Sequence, residues 1–302
     1  MFQILLCPAC HTSLLKAEQN MQCPHCSKKY PISQNVIDTL PIELSSDKAK
    51  VISGYHLASQ MLEKTGVSQL SKFMNLGYIA DHNPQQAVIG PEKNRLNQNS
   101  EKLLFEVIGS YPVDGKTILE VGCGRGGNIQ ALQHYFAPHL LYGLDICMSN
   151  IEACKALQNS FTAFIIGDAE QLPFSDCSFD MILNIESSDA YPDIMRFYQQ
   201  VYRVLRNGGS FLYADMYTRE QFEENTEKLK KTGFKIIRNT NITSNVILSC
   251  YHRSKKRSAA YGKQSGRQQQ ELSEFLAVPG SKVFDEMANE TKIYKIIQME
   301  KP

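Results

Sequence analysis

The sequence predicts an α/β protein: a doubly wound, mostly parallel sheet, preceded by a small cysteine module and interrupted late by a helical insertion. Three observations carry this expectation. Six short apolar runs, at 117–121, 140–144, 161–166, 179–185, 209–214 and 234–238, are separated by intervals most of which can hold a helix. Parallel neighbours need such crossovers. Two tight cysteine pairs sit near the start, and a polar, glutamine-rich stretch at 244–287 stands before a last apolar run at 292–299.

In chain order, residues 1–42 hold the cysteine pairs and end in a short β-like segment. Residues 44–73 have a helical pattern and can lie over the larger domain; 75–91 are dense in glycine, proline and asparagine and read as an irregular crossing segment. Helical patterning returns at 92–110, where Leu103, Leu104, Val107 and Ile108 form an apolar stripe. The resulting division is a cysteine module at 1–42, a helical linker or cap at 43–91, and an α/β domain at 92–302. An insertion at 244–287 would cover the site like a lid, because ligands of such sheets bind beyond the carboxyl ends of the strands.

Lysine plus arginine (32) nearly balance aspartate plus glutamate (31), so no global field favours nucleic acid or an anionic membrane. The basic run at 253–257 reads as a solvated helix face. No stretch of 18 apolar residues exists, and the first residues lack the charged region and cleavage site of a secretory signal. A cytoplasmic protein without a membrane span is expected.

Cys7 and Cys10, then Cys23 and Cys26, form two C-x2-C pairs twelve residues apart. Two such turns can place four thiolates tetrahedrally around one Zn²⁺; iron fits the same ligands. Four cysteines leave no open coordination position, so the metal is read as structural. His11 and His25 adjoin these ligands but are not needed as ligands, and His56, His82, His134, His139 and His252 lack metal spacing. Cys123, Cys147, Cys154, Cys177 and Cys250 read as ordinary reduced cysteines.

After the first apolar run comes Glu120-Val-Gly122-Cys-Gly124-Arg-Gly126-Gly127, where glycines let backbone approach a ligand. The spacing fits both the dinucleotide pattern G-x-G-x-x-G and the pattern G-x-G-x-G of S-adenosylmethionine sites. Glu120 favours the second, since a carboxylate there opposes a pyrophosphate but suits an ammonium and a sulfonium. Asp145, ending the next run ahead of Ile146, can accept from both ribose hydroxyls under either reading.

Ile166-Gly-Asp168-Ala169-Glu-Gln-Leu-Pro-Phe, Phe179-Asp-Met-Ile-Leu-Asn184 and Val204-Leu-Arg-Asn-Gly-Gly follow in order. Together with the glycine loop they resemble the class I S-adenosylmethionine-dependent methyltransferases, which implies a Rossmann-like sheet. By that resemblance Glu120, Gly122, Gly124, Asp145 and Ile146 contact the cofactor, Asp168 receives the adenine amino group, Ala169 meets the ring through backbone, and Asn184 stands beside the transferable methyl. The cysteine module, with its Tyr-Pro-Ile ending, resembles the zinc-ribbon proteins that activate methyltransferases, here fused to its partner. That resemblance also leaves room for a protein partner at the ribbon.

Asn184-Ile-Glu-Ser-Ser-Asp189-Ala-Tyr191-Pro resembles the Asn-Val-Glu-Ser-Ser-His-x-Tyr-Pro motif of bacterial methyltransferases acting on polyketide, lipid and other natural-product hydroxyls. Phe73-Met-Asn75-Leu-Gly77-Tyr78, Phe211-Leu-Tyr-Ala-Asp215 and Phe275-Leu-Ala-Val-Pro-Gly280 extend the likeness; the family's histidine is Asp189 here. The implied activity is methyl transfer to a small-molecule hydroxyl, with Asp215 and Asp189 as candidate bases, Tyr191 orienting the acceptor and Tyr78 closing over the cofactor. The competing readings are an RNA base methyltransferase and a non-catalytic scaffold. No Asn-Pro-Pro-Tyr-type motif and no basic stripe interleaved with aromatics supports the first, and the complete motif set weighs against the second.

Overall fold

A computed structural model describes residues 2–33, 36–40, 44–64, 71–80, 97–261 and 267–302, with backbone alone for 255–261 and 267–269. The apolar runs become β5 (Thr117–Val121), β6 (Leu140–Asp145), β7 (Thr162–Ile166), β8 (Phe179–Ile185) and β9 (Leu205–Tyr217). Every residue of β5 and β7 is buried, as a parallel sheet covered on both faces requires. β10 (Lys235–Asn241) and β11 (Ile293–Glu300) complete this part, β11 lying antiparallel between β9 and β10.

The first residues supply β1 (Leu15–Ala17), β2 (Asn20–Gln22), β3 (Lys29–Ser33) and β4 (Val36–Asp38). The full order is β1-β2-β3-β4-β7-β6-β5-β8-β9-β11-β10. The chain steps outward from β5 through β6 to β7, then returns to place β8 on the other side of β5. That reversal opens a crevice beyond the carboxyl ends of β5 and β8, the usual ligand position in open sheets.

The cysteine module is bonded into the large sheet. β4 runs parallel to β7, Ile37 facing Ile165, and the Thr39 amide and hydroxyl both donate to the Ile166 carbonyl. On the other side Leu6 N donates to the Pro173 carbonyl, Ser175 N to that of Ile4, and the Gln171 amide to that of Pro8. Leu5, Tyr30 and Ile37 share one apolar core with Tyr142, Phe174 and Phe179, whose rings meet edge to face. β4 thereby pairs with a strand edge that would otherwise present free amides and carbonyls.

Two helical layers cover the sheet. α1 (Ser46–Lys64) precedes the domain; α2 (Gln98–Ile108), α3 (Gly127–Tyr135), α4 (Met148–Cys154), α5 (Ile194–Val204) and α6 (Arg219–Thr232) belong to it. The late insertion is helical as expected, forming α7 (Thr243–Tyr261), α8 (Arg267–Phe275) and α9 (Lys282–Ala288). Met61 and Leu62 of α1 pack on Leu272 of α8 and Leu276, so the cap and the insertion form one roof.

The helix expected over 44–73 is shorter. α1 stops at Lys64, and residues 71–80 form a strap without helix. The strap's amides find tertiary partners instead: Leu76 N donates to Glu186, Tyr78 N to the Asn99 carbonyl and Ile79 N to that of Asn245. The helix expected from 92 is described from Gln98, and most of the crossing segment, with His82, lies outside the described residues, as do the side chains of Lys255 to Arg257 in the basic run. Among the described residues no helix is long and apolar enough to cross a membrane.

Candidate functional site

The crevice between β5 and β8 holds a pocket with about 1040 Å³ of atom-free space, open solvent at its mouth included. Its floor is the turn after β5. Gly122 has φ +70° and Gly124 φ +52°, a conformation costly for any residue with a Cβ. A Cβ on Gly122 would also stand 2.2 Å from Ser187 Oγ, so bulk is excluded there twice over. The Gly122 and Cys123 amides donate to the Leu144 carbonyl, and the Gly124 amide to Asp145 Oδ2 at 2.8 Å, tying the turn to the end of β6.

The acceptor atoms of this pocket are short of donors. Glu120 is 2 % exposed; Asn128 Nδ2 donates to one carboxylate oxygen at 2.6 Å, and the other, Oε2, is buried without a partner among the described residues. Asn75 Oδ1 and Asn150 Oδ1 are likewise buried and unpaired. Both amides are oriented by their nitrogens, which donate to the Ser100 carbonyl and to Asp145 Oδ1. Burial pushes the Glu120 carboxyl up to about 8, an effect Asn128 opposes and Asp145 reinforces. Burial also raises Asp145, against hydrogen bonds from Cys147, Gly124 and Asn150.

At the far end Asp168 caps a short turn, accepting from Glu170 N, while Lys48 of α1 donates to Asp168 Oδ2 at 2.5 Å and pairs with Glu170 at 2.6 Å. Desolvation alone would depress the Lys48 ammonium, but the two carboxylates hold it above its ordinary value. Arg125, which follows Gly124 and is 4 % exposed, fixes the other end of α1 through Ser59 and Glu63. The cap is thus latched on both sides of the pocket.

Of the residues singled out in the sequence, Glu120, Gly122, Gly124, Asp145, Ile146, Asp168, Ala169 and Tyr191 all line this pocket. Four others do not. Asn184 is fully buried beneath the floor, donating to the Val121 carbonyl, Ser187 Oγ and Tyr191 Oη. Asp215, 2 % exposed, accepts from the Ser188 amide and hydroxyl and the Met216 amide; that hydroxyl also meets Tyr213 and Tyr217. Burial, with Asp189 nearby, pushes the Asp215 carboxyl up to about 8. Asp189 is exposed and is not among the residues lining the pocket, which resume at Ala190. Tyr78 packs against the helical layer with its amide on Asn99.

Tertiary structure also adds lining residues that sequence reasoning passed over, Lys48, Tyr55, Lys72, Asn128 and Asn150, and it brings in Glu186 and Phe275 from segments already noted in the sequence without a role for either residue. Asn75 belongs to one of the family-like segments, but its role as an unpaired acceptor shows only in three dimensions. The four cysteine sulfurs lie within 4.8 Å of one another, with Cys7 to Cys26 at 3.5 Å and Cys10 to Cys23 at 3.4 Å.

A donor-starved, acidic pocket over a glycine turn at a sheet's switch point suits a cationic, hydroxyl-bearing ligand. Comparison with known proteins agrees. A family model described as a methyltransferase domain matches residues 119–213, and one described as Trm112p-like protein matches residues 1–35. The chain is 37% identical over 186 residues to a fatty-acid O-methyltransferase of Mycolicibacterium smegmatis, covering 61% of this chain and 65% of that protein. It is 34% identical over 188 residues to a phthiotriol/phenolphthiotriol dimycocerosates methyltransferase of Mycobacterium tuberculosis, covering 61% of this chain and 68% of that protein. The chain therefore belongs to the class I S-adenosylmethionine-dependent methyltransferases of the polyketide–lipid type, with an N-terminal ribbon of the Trm112p-like kind.

Solved structures share the fold. The [4+2]-cyclase SpnF superposes with a TM-score of 0.65 at 19% identity, over 87% of this chain and 98% of that one. Geranyl diphosphate C-methyltransferase from Streptomyces coelicolor A3(2) does so at 0.61 and 11%, over 87% and 100%. One of these is a cyclase, so chemistry has to be argued from the site and not from the fold.

Proposed function

We propose that this chain transfers a methyl group from S-adenosylmethionine to a hydroxyl of an apolar, lipid- or polyketide-type acceptor. The observation that carries the reading is the set of unpaired buried oxygens on Glu120, Asn75 and Asn150 around the glycine turn. They suit the donors of such a cofactor, an ammonium and ribose hydroxyls, which would satisfy groups otherwise costly to bury. When bound, the cofactor supplies an electrophilic methyl on a sulfonium sulfur. Glu120 and Asn75 accept from its ammonium, Asp145 and Asn150 from the ribose, and Asp168 and the Ala169 backbone meet the adenine. Lys48 already occupies Asp168 Oδ2, so the adenine amino group has to share or displace it.

Asn184 acts from below, orienting Ser187 and Tyr191 at the wall where an acceptor would stand. Val51, Tyr55, Phe73, Met74, Pro192 and Phe275 give the pocket an apolar lining, which suits a lipid-type acceptor of the kind named for the phthiotriol methyltransferase relative. In the ribbon, tetrahedral sulfurs about 2.3 Å from one zinc ion stand about 3.8 Å apart. The four cysteines need little adjustment to reach that spacing. Because β4 joins the ribbon to its own sheet, it works as an intramolecular support, and the surface left for a protein partner is the β1 edge, where Leu15 is exposed.

S-adenosylmethionine should raise the melting temperature, since a ligand specific to the folded state at a hundredfold its Kd adds about 2.7 kcal/mol. Binding should also release protons: free Glu120 titrates at about 8 and is largely protonated at neutral pH, whereas an ammonium partner needs the carboxylate. Calorimetry at pH 7 in two buffers of different ionisation enthalpy reads this as close to one proton released. An unmoved melting temperature in saturating cofactor would sink the proposal.

A further inference from the structure

We propose that Glu186 is the general base of this site, and hence that the acceptor is a hydroxyl and not a carboxylate. This rests on the methyl-transfer reading above and sharpens it. Glu186 follows β8 at the switch point and lines the pocket next to Ser187, Ala190 and Tyr191. The carboxylates favoured from sequence are worse placed: Asp215 is sealed into the Ser188–tyrosine network, and Asp189 stands outside the pocket wall.

Its backbone supports the assignment. Glu186 has φ +55°, a left-handed conformation that costs a non-glycine residue roughly 1–2 kcal/mol. Its amide is held by the Ala214 carbonyl at 2.9 Å. The carboxylate is fixed in turn: Leu76 N donates to both oxygens, at 2.9 and 3.1 Å, and Tyr294 Oη donates to Oε1 at 2.8 Å. One residue therefore joins the strap, β11 and the end of β8 at the pocket wall. The residue is half-buried and lines the pocket.

The charged and titratable groups around it are Tyr294 of β11, Arg253 of α7 and Asp189. Burial pushes the carboxyl up to about 7; Leu76, Tyr294 and Arg253 oppose this and Asp189 adds to it. A base poised there is half ionised at neutral pH yet basic enough to take a proton in the transition state. In the step, the acceptor hydroxyl gives its proton to a Glu186 oxygen while its electron pair forms the new O–CH3 bond. The pair of the broken CH3–S bond stays on sulfur as a neutral thioether, and Glu186 afterwards loses the proton to solvent. A carboxylic acid acceptor is already ionised at pH 7 and has no proton to give. It would also meet Glu186, Glu120 and Asp145 in one pocket as like charges.

The test uses the full chain, labelled S-adenosylmethionine and three C18 acceptors that differ only at the head: oleic acid, oleyl alcohol and methyl 3-hydroxystearate. Wild type should methylate the hydroxyl compounds at least tenfold faster than the acid, with kcat falling as pH drops below about 7. Glu186→Gln should lower kcat a hundredfold or more and abolish that acid limb, while S-adenosylhomocysteine affinity by calorimetry stays within threefold. A readout independent of turnover is the melting temperature against pH. Folded Glu186 keeps its proton up to about 7 and the unfolded residue only to 4.5, so its contribution to stability falls as pH rises between those values. Glu186→Gln should flatten that part of the curve. Preference for oleic acid, an acid limb that survives in Glu186→Gln, or one removed by Asp189→Asn instead would overturn the assignment. Cofactor binding without methylation of any of the three would count against the parent reading.

Discussion

Cys23→Ser is expected to release the metal and unfold the ribbon, with a large drop in melting temperature and aggregation on heating. Metal binding is folding free energy in modules of this size; structural zinc contributes on the order of 10–16 kcal/mol in isolated peptides at neutral pH. Here the loss spreads beyond the ribbon. Cys7, Cys23 and Tyr30 belong to the same buried core as Phe174, Phe179 and Tyr142, and β4 covers the edge of β7. Losing the ribbon exposes that core and leaves the β7 edge free to pair with another chain. Metal analysis and a melting scan of Cys23→Ser, beside wild type treated with chelator, would check it. A variant that loses its metal yet melts within 2–3 °C of wild type would show that the sheet holds the ribbon without help.

Gly122→Ala is expected to abolish cofactor binding, with at least a hundredfold loss of affinity by calorimetry. Two costs coincide: φ +70°, and a new Cβ 2.2 Å from Ser187 Oγ and 3.0 Å from Tyr191 Oη. Relief requires the floor to move, and the floor is what the cofactor lies against. Gly115→Ala separates the two effects. Gly115 has φ +72° with nothing within 4 Å of an added Cβ, so it bears only the backbone cost of about 1–2 kcal/mol. It should lower stability and leave cofactor affinity unchanged. Equal losses of affinity in both variants would mean that backbone strain, and not the Ser187 contact, governs the loop.

Much of the site was legible because its chemistry is local in sequence. A glycine turn needs its glycines at fixed spacing, and metal knuckles need their cysteines with two residues between them. Asp145 ends β6 and Asp168 follows β7, so the strand pattern alone brings both to the sheet's carboxyl edge. The candidate bases are harder to read, for a related reason. Asp215 also comes near the end of its strand, but the side chains packed over it cannot be read from that position, and it accepts from Ser188, whose hydroxyl in turn meets Tyr213 and Tyr217. Glu186 lay within the polar stretch after β8 that the sequence marks, but it was given no role of its own, because nothing in its neighbours' spelling announces a left-handed backbone.

The roof was harder still. Tyr55, Asn75 and Phe275 come from α1, the strap and α8, and nothing short-range in the sequence relates these segments. The sequence by itself determined that alternating apolar runs build an α/β sheet, that four cysteines carry the spacing of a metal-ligand set, and that a glycine loop preceded by a carboxylate follows the first strand of that sheet. Tertiary structure alone decided that β4 joins the ribbon to β7, which oxygens are left unpaired, and which carboxylate reaches the pocket. The division is physical. Turn geometry and metal coordination depend on neighbours within a few residues, whereas burial and hydrogen-bond satisfaction depend on segments that meet only after the chain has folded.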